Sequence, residues 1–499
     1  MAKLNGNDSL HNLVISCSSS FDNAKNETAV ILAAGHGKRI KSQTSKMLHK
    51  IWEVPTVERV YNACAKGLSN SNIIIVVGIK AEEVIKAVGK KNWVSFAYQE
   101  VQNGTGHALQ VALDNIKDYD GTVYVFPGDM GLIDEETIKF FKEEFEKSNA
   151  DMMVLTGIFD GVIEDNYYGR ILRVKEKDAK GVKSKDENKV IEILEYKDIL
   201  NLDHEKPYSV IHYNRNYKFT KQELLENCEF NSGVYAFKYK PLAGLINKIQ
   251  NNNVQKEIYL TDLIGLFNSN GYSVEAISPK EQYVLMGFNN KSVLKEMNTI
   301  VRKQTYEKLK DIITIDDEND FFIEENVVDE ILEMDKEGIP LNIQLGKGVY
   351  IGKNVKLNYA LKLSKNVFLE GKIVFGKNVV VKENSQISCL YGQNISIDDD
   401  VEISSGNFIK GNVHIGKNSK IKSGVRISGS DRIATHIGSN VTVKGVSNIA
   451  GSYVGDNIII EHSVISRKKI LKPEGIKSEY YYVKYILPEA EGSDAVIDL

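Results

Sequence analysis

From residue 341 onward the chain repeats every six residues. Leu345, Ile351, Leu357, Leu363, Leu369, Phe375, Val381 and Ile387 fall on one step of six. A second apolar series leads each by two: Ile343, Val349, Val355, Leu361, Val367, Ile373 and Val379. Gly346, Gly352, Ser364, Gly376 and Ser388 follow the main position, where a turn is needed. The register resumes at Ile397 and Ile403, runs through Ile409, Ile415, Ile421 and Ile427, and returns at Ile437, Val443 and Ile449. A hexad repeat specifies short strands wound into a parallel β-helix. Each strand sends one aliphatic residue inward, and stacked coils share one continuous core.

The rest of the chain has a different texture. With 499 residues it is too long for one ordinary core, so two or three domains are expected. Residues 28–290 alternate strand-like apolar runs, at 28–34, 73–78, 122–126 and 152–158, with helical stretches such as 57–68 and 81–88. That alternation predicts an α/β domain with a mostly parallel sheet covered by helices. Two polar stretches, 175–189 and 201–227, interrupt it, and a hairpin or lid is expected in each. Residues 291–312 carry Val293, Leu294, Met297, Ile300 and Val301 at helical spacing. They read as the first part of a helical connector with an acidic linker, spanning 291–340. The β-helix then occupies 341–468, and a C-terminal tail, 469–499, with Tyr480 to Tyr482 packs on its end.

Composition narrows the function classes. A formal net charge of −4 gives no reason to expect nucleic acid or a membrane as partner. No apolar run approaches membrane-span length. Cys17, Cys64, Cys228 and Cys389 lie far apart with no zinc spacing, which fits a reducing cytoplasm. Leu13-Val14-Ile15-Ser16-Cys17 has too short an apolar stretch for a signal. Residues 1–27 therefore read as a polar, loosely ordered extension.

Chemistry concentrates at Leu32-Ala33-Ala34-Gly35-His36-Gly37-Lys38-Arg39, directly after the first strand, with Lys46 downstream. Small residues let backbone N–H groups approach phosphates, and Arg39 and Lys46 bring positive charge to a triphosphate. A plain βα turn flanked by surface cations would look the same in isolation. A dinucleotide fingerprint is excluded because Ile40 stands where glycine is required. A P-loop is excluded because Arg39 follows Lys38.

This loop opens an ordered series that resembles the bacterial N-acetylglucosamine-1-phosphate uridylyltransferases, within the sugar nucleotidyltransferases. Gln99 with Asn103-Gly104-Thr105-Gly106-His107-Ala108 is similar to that family's uracil-reading segment, and Gly128-Asp129 to its metal-binding pair. Tyr168-Gly169-Arg170, Glu195-Tyr196-Lys197-Asp198, Asn231-Ser232-Gly233, Tyr259-Leu260-Thr261-Asp262 and Gly287-Phe288-Asn289-Asn290 follow in family order. The resemblance implies a Rossmann-like domain followed by a left-handed parallel β-helix. It implies nucleotide binding by Leu32, Ala33, Ala34, Gly35, Gly37, Lys46, Gln99, Gly104, Thr105 and Gly128. Sugar contacts fall to Gly169, Glu195 and Asn231. Asp129 and Asn289 would hold Mg²⁺ through hard oxygen donors. Arg39, Lys46 and Asp129 take the catalytic roles. The implied substrates are UTP and a sugar-1-phosphate, N-acetylglucosamine-1-phosphate first. The sugar phosphate attacks the α-phosphorus in line, pyrophosphate leaves, and no general base is required.

Several positions depart from the family pattern. Lys38 replaces a usual Thr or Ser, Ser45 a Pro, and Met130-Gly131 a common Val-Pro. Pro127 stands where an aromatic residue often precedes the Gly-Asp pair. Two-domain relatives also acetylate glucosamine-1-phosphate on their β-helix, using a Gly-His pair with Tyr-Leu-Gly-Asp and an Asn-Ile-Gly-Ala-Gly run. Neither run is found here. His414, His436 and His462 are the histidines of the repeat, and all three read as solvated rung positions. The expectation is a uridylyltransferase that does not transfer acetyl groups. The alternatives are a bifunctional enzyme, a pyrophosphorylase for another sugar, and a nonenzymatic nucleotide-binding scaffold. The flat faces of a hexad β-helix favour side-by-side packing, and related proteins are trimers, so a homotrimer is expected.

Overall fold

In a computed structural model, residues 6–35, 37, 40–114 and 116–488 are described. They divide into two compact units, residues 1–297 and 298–499. No described helix is long and apolar enough to cross a membrane.

The first unit is built on a twisted sheet. Its main strands lie in the order Val274–Ile277, Met152–Ile158, Glu229–Lys238, Thr122–Pro127, Glu27–Ala33, Ser71–Val77 and Val94–Tyr98. Neighbours pair in parallel, except that Glu229–Lys238 runs antiparallel to both of its neighbours. Strands covered on both faces carry near-continuous apolar runs, and Ser71–Val77, buried at every position, is apolar from Ile73 onward. One face packs on helices Thr56–Gly67, Ala81–Val88 and Glu135–Ser148. The other packs on Thr105–Leu113, Tyr239–Leu245 and Leu263–Ser269. The expected strands and helices are present, with ends shifted by a residue or two.

The two polar stretches differ. Residues 201–227 hold a hairpin, Tyr208–His212 with Arg215–Phe219, turned through Tyr213 and Asn214 at positive φ. Val210, Tyr217, Phe219 and Leu224 form a small core with Leu172, Val174 and Ile191. Residues 175–189 contain only an isolated bridge, Lys177 to Lys183.

The N-terminal reading needs correction. Gly6–Cys17 is a helix, and Leu10, Leu13, Val14 and Cys17 pack against the first core cluster. These residues keep helical spacing, a pattern hidden by the polar residues around it. Ser19 N–H donates to Val94 O at 2.7 Å, and Asn72 exchanges two hydrogen bonds with Asp22. The segment thus lies against the sheet's edge strand, Val94–Tyr98.

The second unit is a left-handed parallel β-helix whose strands stack in three sheets. Leu345 pairs with Leu363, and Leu363 with Val381, one three-hexad coil apart. All three are at most 2% exposed, so the repeat marks the core as expected. Burying each such side chain contributes roughly 1.5–3 kcal/mol. Corners fall on Asn354, Asn366, Asn378, Asn384, Asn418 and Asn440, all at positive φ. Asparagine tolerates that conformation better than other side chains with a Cβ. Short insertions at residues 389–394 and 429–434 widen the same corner in two different coils, and Gln393 Nε2 donates to Asp431 Oδ1 at 2.7 Å between them.

Two boundaries move. The β-helix begins before residue 341, because Thr314–Ile315 and Phe321–Ile323 already pair with Gln344–Leu345 and Val349–Ile351. The expected acidic linker is therefore a first partial coil followed by helix Glu325–Asp335, and it lacks the hexad that would have marked it. Strands Lys469–Ile470 and Tyr481–Lys484 extend two of the sheets into the expected tail. His414 and His436 are half-buried rather than solvated: they stack at 4.7 Å, and His436 stacks on Tyr453 at 4.7 Å.

Candidate active site

Lys46 sits where the carboxyl ends of two central strands meet. Strand Glu27–Ala33 runs into the small-residue loop, and Gly128 N–H donates to Leu32 O at 3.0 Å, holding the two strand ends together. Ala33 and Ala34 are buried, whereas Gly35 is exposed. Gly37 has φ +59°, and a Cβ there would lie 2.8 Å from Lys46 Cβ, so a side chain at this position would displace the lysine. Gly128 is fixed likewise: a Cβ would lie 2.9 Å from Met47 Sδ. Arg39, with His36 and Lys38, lies outside the described residues.

The Lys46 ammonium is ion-paired with the Asp129 carboxylate. It also donates to Asn289 Oδ1 at 3.0 Å and lies 5.4 Å from the centre of the Phe288 ring. The Lys46 and Asp129 side chains are 12% and 17% exposed. A carboxylate and an amide carbonyl from distant parts of the chain therefore converge on one cation. Both are hard oxygen donors, the type Mg²⁺ takes, so the residues present fit that ion. Gly287 lies against Asp129, since a Cβ on it would be 3.3 Å from Oδ2.

A second group surrounds Gln99, which is 2% exposed. Its backbone N–H donates to Val77 O at 2.8 Å. Its side-chain Nε2 lies 3.2 Å from Gly104 O and 3.0 Å from His107 Nδ1. Gly104 has φ +106°, and a Cβ there would fall 2.6 Å from Ile258 O. Gly106 N–H donates to that same carbonyl at 2.8 Å, and Leu260 N–H donates to Thr105 Oγ1 at 3.1 Å. The motifs near 104 and 260 are thus one packed structure.

A third group holds Gly169, Glu195 and Asn231. Asn231 N–H donates to Gly169 O at 2.9 Å, and a Cβ on Gly169 would lie 3.3 Å from Glu195 Oε1. Asn231 Oδ1 accepts from Gly233 N–H at 2.9 Å and from the Tyr235 hydroxyl at 3.0 Å, which fixes the amide. A cavity of about 680 Å³ adjoins, lined in part by Glu192, Glu195, Asp198, Tyr208, Tyr259 and Asp262. Burial, reinforced by Asp198 and Asp262, pushes the Glu195 carboxyl up to about 7. Burial pushes Glu192 up to about 7, and burial with Asp198 pushes Asp262 up to about 6. Tyr208, from the 201–227 stretch, donates to Glu192 Oε1 at 2.5 Å.

The sequence reading gave no role to Phe288, His107, Asp262 or Tyr168. Each stands inside a motif it had singled out, so the signal was present without a contact to interpret. Pro127 proves to be a spacer: a Cβ on Gly233 would be 2.9 Å from Pro127 Cγ.

Residues 29–162 match the MobA-like NTP transferase domain family. The chain is 35% identical over 300 residues to the bifunctional protein GlmU of Acetivibrio thermocellus, covering 60% of this chain and 57% of that protein. It is 34% identical over 322 residues to the GlmU of Clostridium tetani, covering 64% and 62%. It is 36% identical over 325 residues to that of Clostridium novyi, covering 65% and 62%. The chain thus aligns with about six tenths of the length of these relatives. A crystal structure of UDP-glucose pyrophosphorylase aligns at TM-score 0.39 and 14% identity, over 56% of this chain and 99% of that one.

Proposed function

We propose that this protein is a sugar-1-phosphate nucleotidyltransferase that joins UTP and N-acetylglucosamine-1-phosphate into UDP-N-acetylglucosamine and pyrophosphate. The observation that carries the reading is the convergence of Asp129 and Asn289 on the Lys46 ammonium, beside a glycine-rich loop at the strand ends. Open α/β sheets bind ligands at that edge. The match to an NTP transferase family and the likeness to GlmU proteins support it.

Each group has a task in this reading. The loop from Leu32 to Gly37 offers backbone N–H groups and close approach to the triphosphate. Both Gln99 amide hydrogens face acceptors, Gly104 O and His107 Nδ1, so its carbonyl oxygen is the group that meets a base N–H. Gly104 and Thr105 line the same base. Gly169, Glu195 and Asn231 hold the sugar. Asp129 and Asn289 would hold Mg²⁺, which when bound supplies charge neutralisation and alignment of the phosphates. Lys46, released from that pair, turns its charge to the α-phosphate, where negative charge builds as pyrophosphate leaves. The attacking phosphate is already anionic, so catalysis consists of positioning and electrostatics.

The reading is tested by pyrophosphate release from UTP or dTTP with a panel of sugar-1-phosphates. UTP with N-acetylglucosamine-1-phosphate gives the highest kcat/KM, and only with Mg²⁺ present. Equal rates with dTTP and glucose-1-phosphate would overturn the substrate assignment. A second reading rests on the relatives' name, bifunctional: the β-helix would also acetylate glucosamine-1-phosphate from acetyl-CoA. We favour a β-helix without that activity, because the acetyl-transfer runs are not found in the repeat. Release of CoA that requires both enzyme and amino sugar would establish the second reading. We also assign the protein to the cytoplasm and to a homotrimer packed through the β-helix.

A further inference from the structure

Arg170 is the largest fully buried side chain of the described residues. No carboxylate among the described residues lies within ion-pair distance of it. Its NH1 donates to Asn166 Oδ1 at 2.9 Å and to Tyr168 O, and its NH2 donates to Asn166 O at 2.8 Å. Its charge also lies 5.8 Å from the centre of the Tyr196 ring. Nε and the Asn166 amide nitrogen are buried without a hydrogen-bond partner. Burying a cation this way is costly, and each unpaired donor adds to the cost. An apolar residue of similar size would avoid both penalties, so the arrangement calls for a reason beyond packing.

The turn that Arg170 grips supplies one. Residues 166–169 lead directly into strand Arg170–Arg173 and end at Gly169, whose carbonyl takes the Asn231 N–H and whose Cα faces Glu195. Tyr168 packs on Phe230 with its ring tilted by 30° at 4.5 Å, and its hydroxyl interacts electrostatically with the Gly287 backbone and Asp129. Gly287 precedes Phe288 and Asn289, which touch Lys46. One short turn therefore contacts the sugar group on one side and the Asp129–Asn289 group on the other. The planar guanidinium fork holds two carbonyls and a side-chain oxygen of that turn at once, in a fixed geometry.

We propose that Arg170 is a positioning residue for nucleotidyl transfer, its buried guanidinium locking the 166–169 turn so that Gly169 faces the sugar and Tyr168 braces the metal-side loop at Gly287. This rests on the nucleotidyltransferase reading above. Arg170→Lys keeps the charge and loses the fork. The KM for N-acetylglucosamine-1-phosphate rises about tenfold and kcat falls by a similar factor, while the KM for UTP stays within about twofold. Tyr168→Phe cuts only the brace: the Mg²⁺ concentration for half-maximal rate rises, and the sugar KM is unchanged. Asn166→Ala, which leaves Arg170 in place, follows Arg170→Lys with a smaller effect and serves if the lysine variant fails to fold.

Hydrogen exchange on the same full-length proteins reads the coupling without any reaction. Amides at 166–170, 231 and 287–289 exchange faster in Arg170→Lys, while 73–77 is unchanged. Wild-type exchange at 287–289 in that variant overturns the proposal. So does a loss of UTP affinity, sugar affinity and melting temperature in equal measure, which is what a purely structural arginine gives. If the wild-type protein turned over no sugar phosphate, the functional reading would fall, and the exchange data would still decide whether the turn couples the two groups.

Discussion

Replacing Lys46 with alanine is expected to have two effects of opposite sign. Its ammonium lies between Asp129 and Asn289, where the metal is expected to bind. Any cation entering must displace it. The pair is largely shielded, at 12% and 17% exposure, so it is stronger than a surface ion pair. We take it as ~1–2 kcal/mol, above the usual surface value but far below an interior Coulomb limit. Removing it tightens Mg²⁺ binding by roughly 5–30-fold. On the proposed reading the same ammonium is aimed at the reacting phosphate, and losing one such preorganised donor costs about 3–4 kcal/mol, or 10²–10³ in kcat. Isothermal titration with Mg²⁺ on the substrate-free protein measures the first effect, and single-turnover pyrophosphate release at saturating Mg²⁺ measures the second. Weaker Mg²⁺ binding in Lys46→Ala, or a kcat within about threefold of wild type, would refute the reasoning.

Other expectations follow from the same geometry. Burial holds the Glu195 proton up to about 7 in the folded protein, against 4.5 for a free glutamate. That group stabilises the fold below the lower value, and the contribution is lost as pH rises through the upper one. Glu195→Gln should therefore raise the melting temperature more at pH 8 than at pH 5. It should also flatten the rise in sugar-phosphate KM expected of wild type as pH falls below 7, and an unchanged KM profile would remove Glu195 from the sugar site. Gly104→Ala forces a Cβ to within 2.6 Å of Ile258 O at φ +106°. It should raise the UTP KM at least tenfold while leaving the sugar KM near wild type; equal effects on both would place Gly104 outside the base pocket. Multi-angle light scattering at micromolar concentration should give the mass of a trimer, and a monomer would reject packing through the β-helix faces.

How much the sequence revealed depended on whether the signal was local and periodic. The hexad positions carry their own register, and every main position from Leu345 to Ile387 is buried at 8% exposure or less. Alternating apolar runs located the sheet because a strand covered on both faces cannot hide its composition. The first coil at residues 314–323 escaped because it lacks the repeat, and its strands are defined by what they pair with. The N-terminal helix escaped because its four packing residues are diluted among polar ones. At the site, the motif series located residues but not their contacts. That Lys46 would rest on both proposed metal ligands, or that Arg170 would be buried without an acid, depends on approach between segments far apart in sequence. Sequence spacing contains no such distance.

The central claim is that the protein cleaves a nucleoside triphosphate between its α- and β-phosphates and attaches the nucleotidyl group, through its α-phosphorus, to a sugar phosphate. The direct measurement follows the label from UTP carrying ³²P at the α or at the γ position, with N-acetylglucosamine-1-phosphate and Mg²⁺. The account predicts that α-label appears in the sugar nucleotide and γ-label in pyrophosphate, in equal amounts, and that Asp129→Asn shows neither. Release of the γ-label as inorganic phosphate, or tight UTP binding with no transfer to any sugar phosphate tried, would contradict it.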